Sequence, residues 1–248
     1  MKILVCISHV PDTTSKINFI ENNSKFDEKG VQFVINPNDE FGLTRAMWFK
    51  EKQGASVDVI NVGLADTEPT LRKALAIGAD KAIRINSDPK NGLNVAKQIA
   101  HIVSSESYDL VIGGRESIDY NGGMVPGIIA GLINYNFVDK CISLEINNDS
   151  ITATREIEGG KEIIESKLPL VVAGQKGLVE ESDLRIPNMR GIMMARRKEL
   201  QVVNAIDEDN STCTVSFEKP KPKEEITLVS SDNVGELINL LHNEAKAI

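Results

Sequence analysis

The chain has 248 residues, 41% apolar and 26% charged, with a formal net charge of −8. This composition suits a globular protein with one large α/β domain, or one domain and an appendage. The acidic balance and 4% aromatic content, with Trp48 the one tryptophan, argue against nucleic-acid binding. No apolar run approaches a membrane span, and Met1-Lys2-Ile3-Leu4-Val5 lacks a secretory-signal pattern, so a cytoplasmic protein without membrane insertion is expected. Cys6, Cys141 and Cys213 are odd in number and far apart. They give neither a disulfide framework nor a metal motif, which fits a reducing compartment.

Taken in order, Lys2–Ser8 (KILVCIS) reads as a buried strand, and His9-Val10-Pro11-Asp12 as a turn. Lys16–Gln32 is a polar loop or hairpin excursion, and Phe33–Ile35 is briefly extended. Asn36-Pro37-Asn38-Asp39 offers an N-cap for a helix over Glu40–Gln53, which Gly54 stops. Ser56–Gly63 is a second strand. Thr67-Glu68-Pro69 opens a helix that runs to Gly78. Lys81–Asn86 is a third strand, and Leu93–Ser105 a helix with Val95, Ile99, Ile102 and Val103 on one face. Repeated strand–helix alternation predicts a doubly wound, Rossmann-like parallel sheet.

Within that sheet the stretch Tyr108–Gly127 carries the strongest local signal. Leu110-Val111-Ile112 ends at Gly113-Gly114, a polar loop follows from Arg115 to Asn121, and Gly122-Gly123 leads into an apolar helix over Met124–Leu132. Ligands in open parallel sheets bind at the carboxyl ends of strands, beside helix N-termini whose free N–H groups favour anions. Cys6–Val10, Asn36–Asp39, Val62–Ala65 and Glu116–Gly127 are therefore the segments expected to line a nucleotide crevice. There is no GxGxxG and no GxxxxGK[ST], so neither a standard dinucleotide fingerprint nor a phosphate-hydrolysing loop is supported. His9, at the end of the first strand, reads as a structural hydrogen-bonder, and His101 and His242 have no partners by spacing. Asp119 suits a ribose or an Asx-turn equally.

After Ile133 the pattern changes. Cys141–Ile146, Ile151–Arg155 and the turns Asn147-Asn148-Asp149 and Glu158-Gly159-Gly160-Lys161 predict two β-hairpins, over roughly residues 141–167. Leu168–Ala173 is a further buried strand. Met189–Lys198 is expected to be helical with a basic end that complements its dipole. By residue type, Met189, Met193 and Met194 would pack that helix onto the core. Ile206–Glu225 is polar and reads as an extended arm, with Ser231 or Asp232 capping a terminal helix over Val234–Asn243. The expected division is a nucleotide-binding domain over residues 1–205 and an arm with terminal helix over 206–248.

Ala153–Ala173 reads ATREIEGGKEIIESKLPLVVA and closely resembles the signature of electron transfer flavoprotein beta subunits. The small, basic, acidic-glycine, Glu, aliphatic and proline-strand places are taken by Ala153, Arg155, Glu158-Gly159-Gly160, Glu162, Ile164, Pro169 and Val171–Ala173. The likeness extends to Asn36-Pro37, LRKALAIGAD at Leu71–Asp80, the GRESID loop and RIPNMRGIMMARRK at Arg185–Lys198. The resemblance implies a subunit without a bond-making active site of its own. It would pair with an alpha subunit that carries the redox FAD, forming a heterodimer in which the arm and terminal helix over 206–248 pack on that partner subunit. That heterodimer would take electrons from acyl-CoA and related dehydrogenases in fatty acid β-oxidation and pass them to a membrane quinone oxidoreductase.

The beta subunit itself would hold AMP. The matching positions are Cys6, Asn36, Pro37, Asn38, Asp39 and Val62, with the run Glu116, Ser117, Ile118, Asp119, Tyr120, Asn121, Gly122, Gly123, Met124, Val125, Pro126 and Gly127. The run departs both from the family's AMP-type loop, DDxNQTGQ, and from the DGDTAQVGP loop of flavin-bifurcating members, which bind a second FAD there. FAD in this subunit is thus the alternative to AMP, and Pro126 removes one N–H that a phosphate would use. The resemblance also places a dehydrogenase-docking loop at roughly residues 183–194. Met189 is its anchor, with Ile186 and Arg190 beside it. A flexible methionine suits a surface that fits several partners. The rival class, an adenine-nucleotide-dependent enzyme, lacks both a phosphate-loop lysine and a nucleophile–base pair.

Overall fold

A computed structural model describes residues 1–147, 150–206, 212–222 and 226–248. In chain order its elements are β1 (Lys2–Cys6), β2 (His9–Pro11), β3 (Phe19–Ile20), β4 (Lys25–Phe26), β5 (Phe33–Ile35), α1 (Pro37–Gln53), β6 (Ser56–Val62), α2 (Glu68–Ile77), β7 (Lys81–Asn86), α3 (Gly92–Glu106) and β8 (Leu110–Gly114). Then follow α4 (Val125–Ile133), β9 (Asn136–Asn147), β10 (Ser150–Ile157), β11 (Gly160–Lys167), β12 (Leu170–Gly174), α5 (Met189–Ala195), β13 (Leu200–Asn204) and α6 (Val234–Asn239).

Among the described residues the main sheet has nine strands, ordered β11-β10-β9-β12-β8-β1-β6-β7-β13. Every pairing from β9 to β13 across this order is parallel, and β10 and β11 extend one side as an antiparallel meander. The fold is the expected α/β class with a large, mostly parallel sheet. Central strands such as β1 (KILVC) and β8 (LVIGG) are buried on both faces, which is why they read as unbroken apolar runs. Successive side chains of β1 serve opposite layers. Ile3 and Val5 join Leu43, Ala46, Leu71 and Leu75 of α1 and α2. Leu4 and Cys6 join Ile99 and Val103 of α3 and Ile129 of α4.

The chain departs from the sequence reading at several points. His9–Pro11 is not a turn but a short strand, β2, paired antiparallel with β5. Asn36 stands at the cap position of α1, yet its side chain makes no capping bond, because it is used elsewhere. The helix of the docking region ends at Ala195, three residues before Lys198, and the strand β13 that follows was not expected. Asn233, rather than Ser231 or Asp232, caps α6, its Oδ1 accepting from Glu236 N at 3.2 Å. Of the predicted turn at Asn147-Asn148-Asp149, the last two residues lie outside the described residues, as do the arm residues 207–211 and 223–225.

One deep polar contact fastens the far end of β8's approach. Tyr108 is 1% exposed, and its hydroxyl donates to Asp58 Oδ2 at 2.8 Å. Lys2 Nζ lies 4.1 Å above the ring centroid. Burial holds the Asp58 carboxyl above its usual range, and the Tyr108 hydrogen bond opposes that shift. Tyr108→Phe leaves a buried carboxylate oxygen without its donor, so stability should fall by about 1–3 kcal/mol. Urea denaturation checks this, and an unchanged midpoint would show the bond to be redundant.

Candidate functional site

The order of the parallel strands reverses at β1. The chain runs outward from β1 through β6 to β7, then returns past β1 to β8. The loops that leave β1 and β8 therefore diverge, and such a divergence at the carboxyl edge is where open parallel sheets bind ligands. The sequence placed its nucleotide site at these strand ends.

Asp39, in the first turn of α1, bridges that divergence. It is 2% exposed; its Oδ2 accepts from Ser8 N, just after β1, at 2.7 Å, and its Oδ1 accepts from Gly114 N, the last residue of β8, at 2.8 Å. One carboxylate thus ties both sides of the strand-order switch to the N-terminus of a helix, where the macrodipole favours negative charge. Asn36, fully buried, completes the clasp. Its Nδ2 donates to Glu116 O at 2.9 Å and its Oδ1 accepts from Ile118 N at 3.3 Å, while Asn38 Nδ2 donates to the same Glu116 carbonyl at 3.1 Å. Gly114 is glycine because a Cβ there would run into Asp39 Oδ1 and lie 2.8 Å from Asn38 Cβ.

Two of the expected site segments are thereby brought together: Asn36 and Asn38 bond the backbone of Glu116 and Ile118, and Asp39 bonds Gly114 just before them. Cys6 and Pro126 also converge, both within 4 Å of the position a Cβ on Gly113 would take. Val62 shares the core layer of Cys6. Burial first, and the charge of Asp39 second, push the Cys6 thiol far above its ordinary pKa, so this group stays a neutral thiol. Asp119 forms a local turn. Its Oδ1 accepts from Ser117 Oγ at 2.6 Å and Tyr120 N at 2.8 Å. Tyr120 and Met124 face outward, 70% and 54% exposed. Gly123 is fixed by its own loop, since a Cβ there would lie 2.8 Å from the Arg115 carbonyl, whereas a Cβ on Gly122 meets nothing within 4 Å. The helix α4 begins without a side-chain cap.

Sequence reasoning did not select Arg115 and Gln175 as site residues. Arg115 Nη1 donates to Gln175 Oε1 at 3.1 Å, Gln175 Nε2 donates to Glu156 Oε2 at 2.5 Å, and Arg115 N donates to Gly174 O at 2.8 Å. These residues meet because Gly174 pairs with Gly114 in the parallel register of β12 on β8, a pairing with no local signal in the sequence. His9 has the expected structural role. It stacks on Phe33 at 4.3 Å and shares a 2.8 Å hydrogen bond between its Nδ1 and Thr70 Oγ1.

The second candidate surface is α5 and the loop before it. Ile186 is 84% exposed and Met189 75%, and Arg190 is exposed as well. Met193 and Met194 are also exposed, so the expectation that the methionines pack on the core does not hold; within α5 only Ala195 is buried. The cause is the close approach of α5 to α2, where a Cβ on Gly191 would collide with the Ala76 carbonyl. The two helix ends support each other. Arg72 Nη1 donates to Ala195 O at 2.7 Å and Lys198 O at 2.8 Å, while Lys198 Nζ donates to Leu75 O at 3.0 Å and Ala79 O at 2.5 Å. The basic end expected to complement its own helix thus serves the C-terminus of α2.

Fold and site define an α/β protein with a Rossmann-like parallel sheet, a clasped loop pair at its strand-order switch, and a separate apolar ledge. A profile of the family described as "Electron transfer flavoprotein domain" matches residues 24–208. Over the whole length of both chains, the sequence is 32% identical to the electron transfer flavoprotein subunit beta of Bacillus subtilis. It is 31% identical to that of Dictyostelium discoideum, over 96% of this chain and 97% of the relative. It is 32% identical to the mitochondrial subunit beta of Oryza sativa subsp. indica, again over the whole of both. The chain belongs to the electron transfer flavoprotein beta-subunit family, whose members are components of electron carriers. No helix among the described residues is long and apolar enough to cross a membrane.

Asp39 also gives the site a pH signature. Burial pushes its pKa from the usual 3.8 up to about 6, against the opposing pull of its N–H donors. The native state therefore binds more protons than the unfolded chain between these values. The contribution of this group to stability is full below about pH 4 and is lost as pH rises toward 6, by roughly 3 kcal/mol. Asp39→Asn abolishes that slope and leaves one of the two N–H groups facing an amide donor. The stability gap between wild type and Asp39→Asn should accordingly be wider at pH 4 than at pH 7. A gap that stays constant across this range would mean that Asp39 titrates normally.

Proposed function

We propose that this chain pairs with an FAD-carrying alpha subunit as the beta subunit of a heterodimeric electron transfer flavoprotein, binds AMP structurally, and docks the electron-donating dehydrogenase through α5. The heterodimer carries electrons from acyl-CoA and related dehydrogenases to a membrane quinone oxidoreductase. The observation that carries this reading is the end-to-end similarity to proteins named as beta subunits, from a bacterium to a plant mitochondrion. The geometry adds support. The clasped Glu116–Gly127 loop leads into α4, whose first turn has no side-chain cap, and free N–H groups at a helix N-terminus suit a phosphate. No step of bond-making chemistry is assigned to these residues: the chain positions a nucleotide and presents surfaces.

AMP is the proposed occupant, with FAD the alternative because the Asp119–Gly127 loop matches neither form of the family's pattern. Protein purified with its alpha subunit should release AMP on acid treatment, identified by mass. Gly122 offers the cleaner steric probe, since added atoms there meet open space while those on Gly123 meet the Arg115 carbonyl. Gly122→Val should keep the melting temperature and weaken AMP retention about tenfold or more, equivalent to 1.4 kcal/mol. Full retention of nucleotide by this variant would place the phosphate elsewhere.

Docking is tested on Met189. Truncating an interface anchor typically costs more than about 1 kcal/mol, and about 2 at a hot spot. Met189→Ala should therefore raise the apparent KM for the flavoprotein in a dehydrogenase-coupled assay roughly tenfold. Stability should stay within about 0.5 kcal/mol, as for exposed positions generally. Reduction by dithionite should proceed as in wild type. An unchanged KM would remove Met189 from the interface.

A further inference from the structure

The C-terminal arm does not simply leave the domain. Ile206 is held against α3, its N donating to Gln98 Oε1 at 2.9 Å and its carbonyl accepting from Gln98 Nε2 at 3.1 Å. The arm then has two further anchor points. At the first, Asn91 Nδ2 donates to Thr212 Oγ1 at 2.9 Å. At the second, Phe217 stacks on Phe19 with centroids 4.8 Å apart and planes 6° from parallel, and Phe217 N donates to Asn23 O at 2.7 Å. Lys219 Nζ adds a bond to Asn18 Oδ1 at 2.9 Å.

These anchors lie on two different connections that leave the carboxyl edge of the sheet, the one between β7 and α3 and the one between β1 and α1. Asn91 directly precedes Gly92, and a Cβ on Gly92 would lie 2.7 Å from Met124 Cγ, in the loop that follows β8. Asn18, Phe19 and Asn23 belong to the small β3–β4 hairpin on the excursion that leaves β1 by way of β2. Four residues lie between Thr212 and Phe217, and the five steps reach at most about 18 Å. The segment between them runs from the N-terminus of α3, beside Met124, to the hairpin. Val215, in mid-span, is 80% exposed, so the segment passes over the surface and contributes nothing to the core. The hairpin is equally light, pairing only Phe19 with Phe26 and Ile20 with Lys25, and ribbons of this size are not stable alone. Arm and hairpin support each other through one aromatic stack and a few exposed hydrogen bonds, the kind of contact that opens locally without global unfolding.

We propose that residues 212–219 form a removable strap across the mouth of the crevice, clasped by Phe217 on Phe19, and that its release sets the rate at which nucleotide leaves. This rests on the AMP reading above. Full-length protein, with its alpha subunit where the two copurify, is loaded with radiolabelled AMP and chased with excess unlabelled AMP. Phe217→Ala should release AMP about five- to tenfold faster, the scale of a lost aromatic pair. Thr212→Val, which removes the acceptor at the other anchor, should shift the rate in the same direction, and Phe217→Tyr, which keeps the stack, should release at the wild-type rate. Release at the wild-type rate from both Phe217→Ala and Thr212→Val would overturn the strap and leave AMP binding intact. Failure of wild type to retain labelled AMP would overturn the nucleotide reading, and the strap's role with it.

Discussion

The carboxylate of Asp39 is the contact on which the rest of this architecture turns. A doubly wound sheet must reverse its strand order somewhere, and at that place two loops part company. Left alone, the parting loops would leave the N–H groups of Ser8 and Gly114 without acceptors in a buried place, a costly state. Asp39 supplies one oxygen to each and does so from the first turn of a helix, whose dipole favours its charge. The cost of burying a carboxyl is visible in its raised pKa. What that cost secures is a fixed loop: Asn36 and Asn38 extend the clasp to the backbone of Glu116 and Ile118, so the glycine-rich segment is held by the protein's own groups.

The same economy governs the other surface. The short helix α5 turns Gly191 and Ala195 toward α2, and the exchange of Arg72 and Lys198 across the two helix ends satisfies carbonyls that have no intrahelical partner. Because small residues and cations do the holding, the large apolar side chains are released to face outward. Exposed methionines at this density are unusual for a solitary surface and suit adaptable contacts. A carrier component needs surfaces of this kind more than it needs reactive groups, and its two buried thiols, Cys6 and Cys141, are both pushed up in pKa by burial and away from thiolate chemistry.

Much of the fold was legible from the chain because its physics is local. Parallel central strands are buried on both faces, so KILVC, SVDVINV and LVIGG stand out as apolar runs, and Gly54 ends α1 where a left-handed residue is required. The meander was legible from alternation and turn residues. The edge strand β13 was not: LQVVN lies between a basic stretch and a polar arm, and pairs through a register with β7 that no local pattern encodes. His9–Pro11 read as a turn because proline breaks most strands, although a short edge strand tolerates it.

The sequence by itself determined the α/β class, the family, and which strand-end segments meet, since strand periodicity, glycine stops and the Ala153–Ala173 signature all act over a few residues. Only the tertiary structure decided what each of those residues does there. Asn36 looked like a helix cap and is instead a brace for a loop 80 residues away. Met193 and Met194 looked like core and are exposed, and Gly123 answers first to the Arg115 carbonyl. Each of these outcomes depends on which distant backbone arrives alongside, and that is set by strand register and helix packing, which no stretch of neighbouring residues specifies alone.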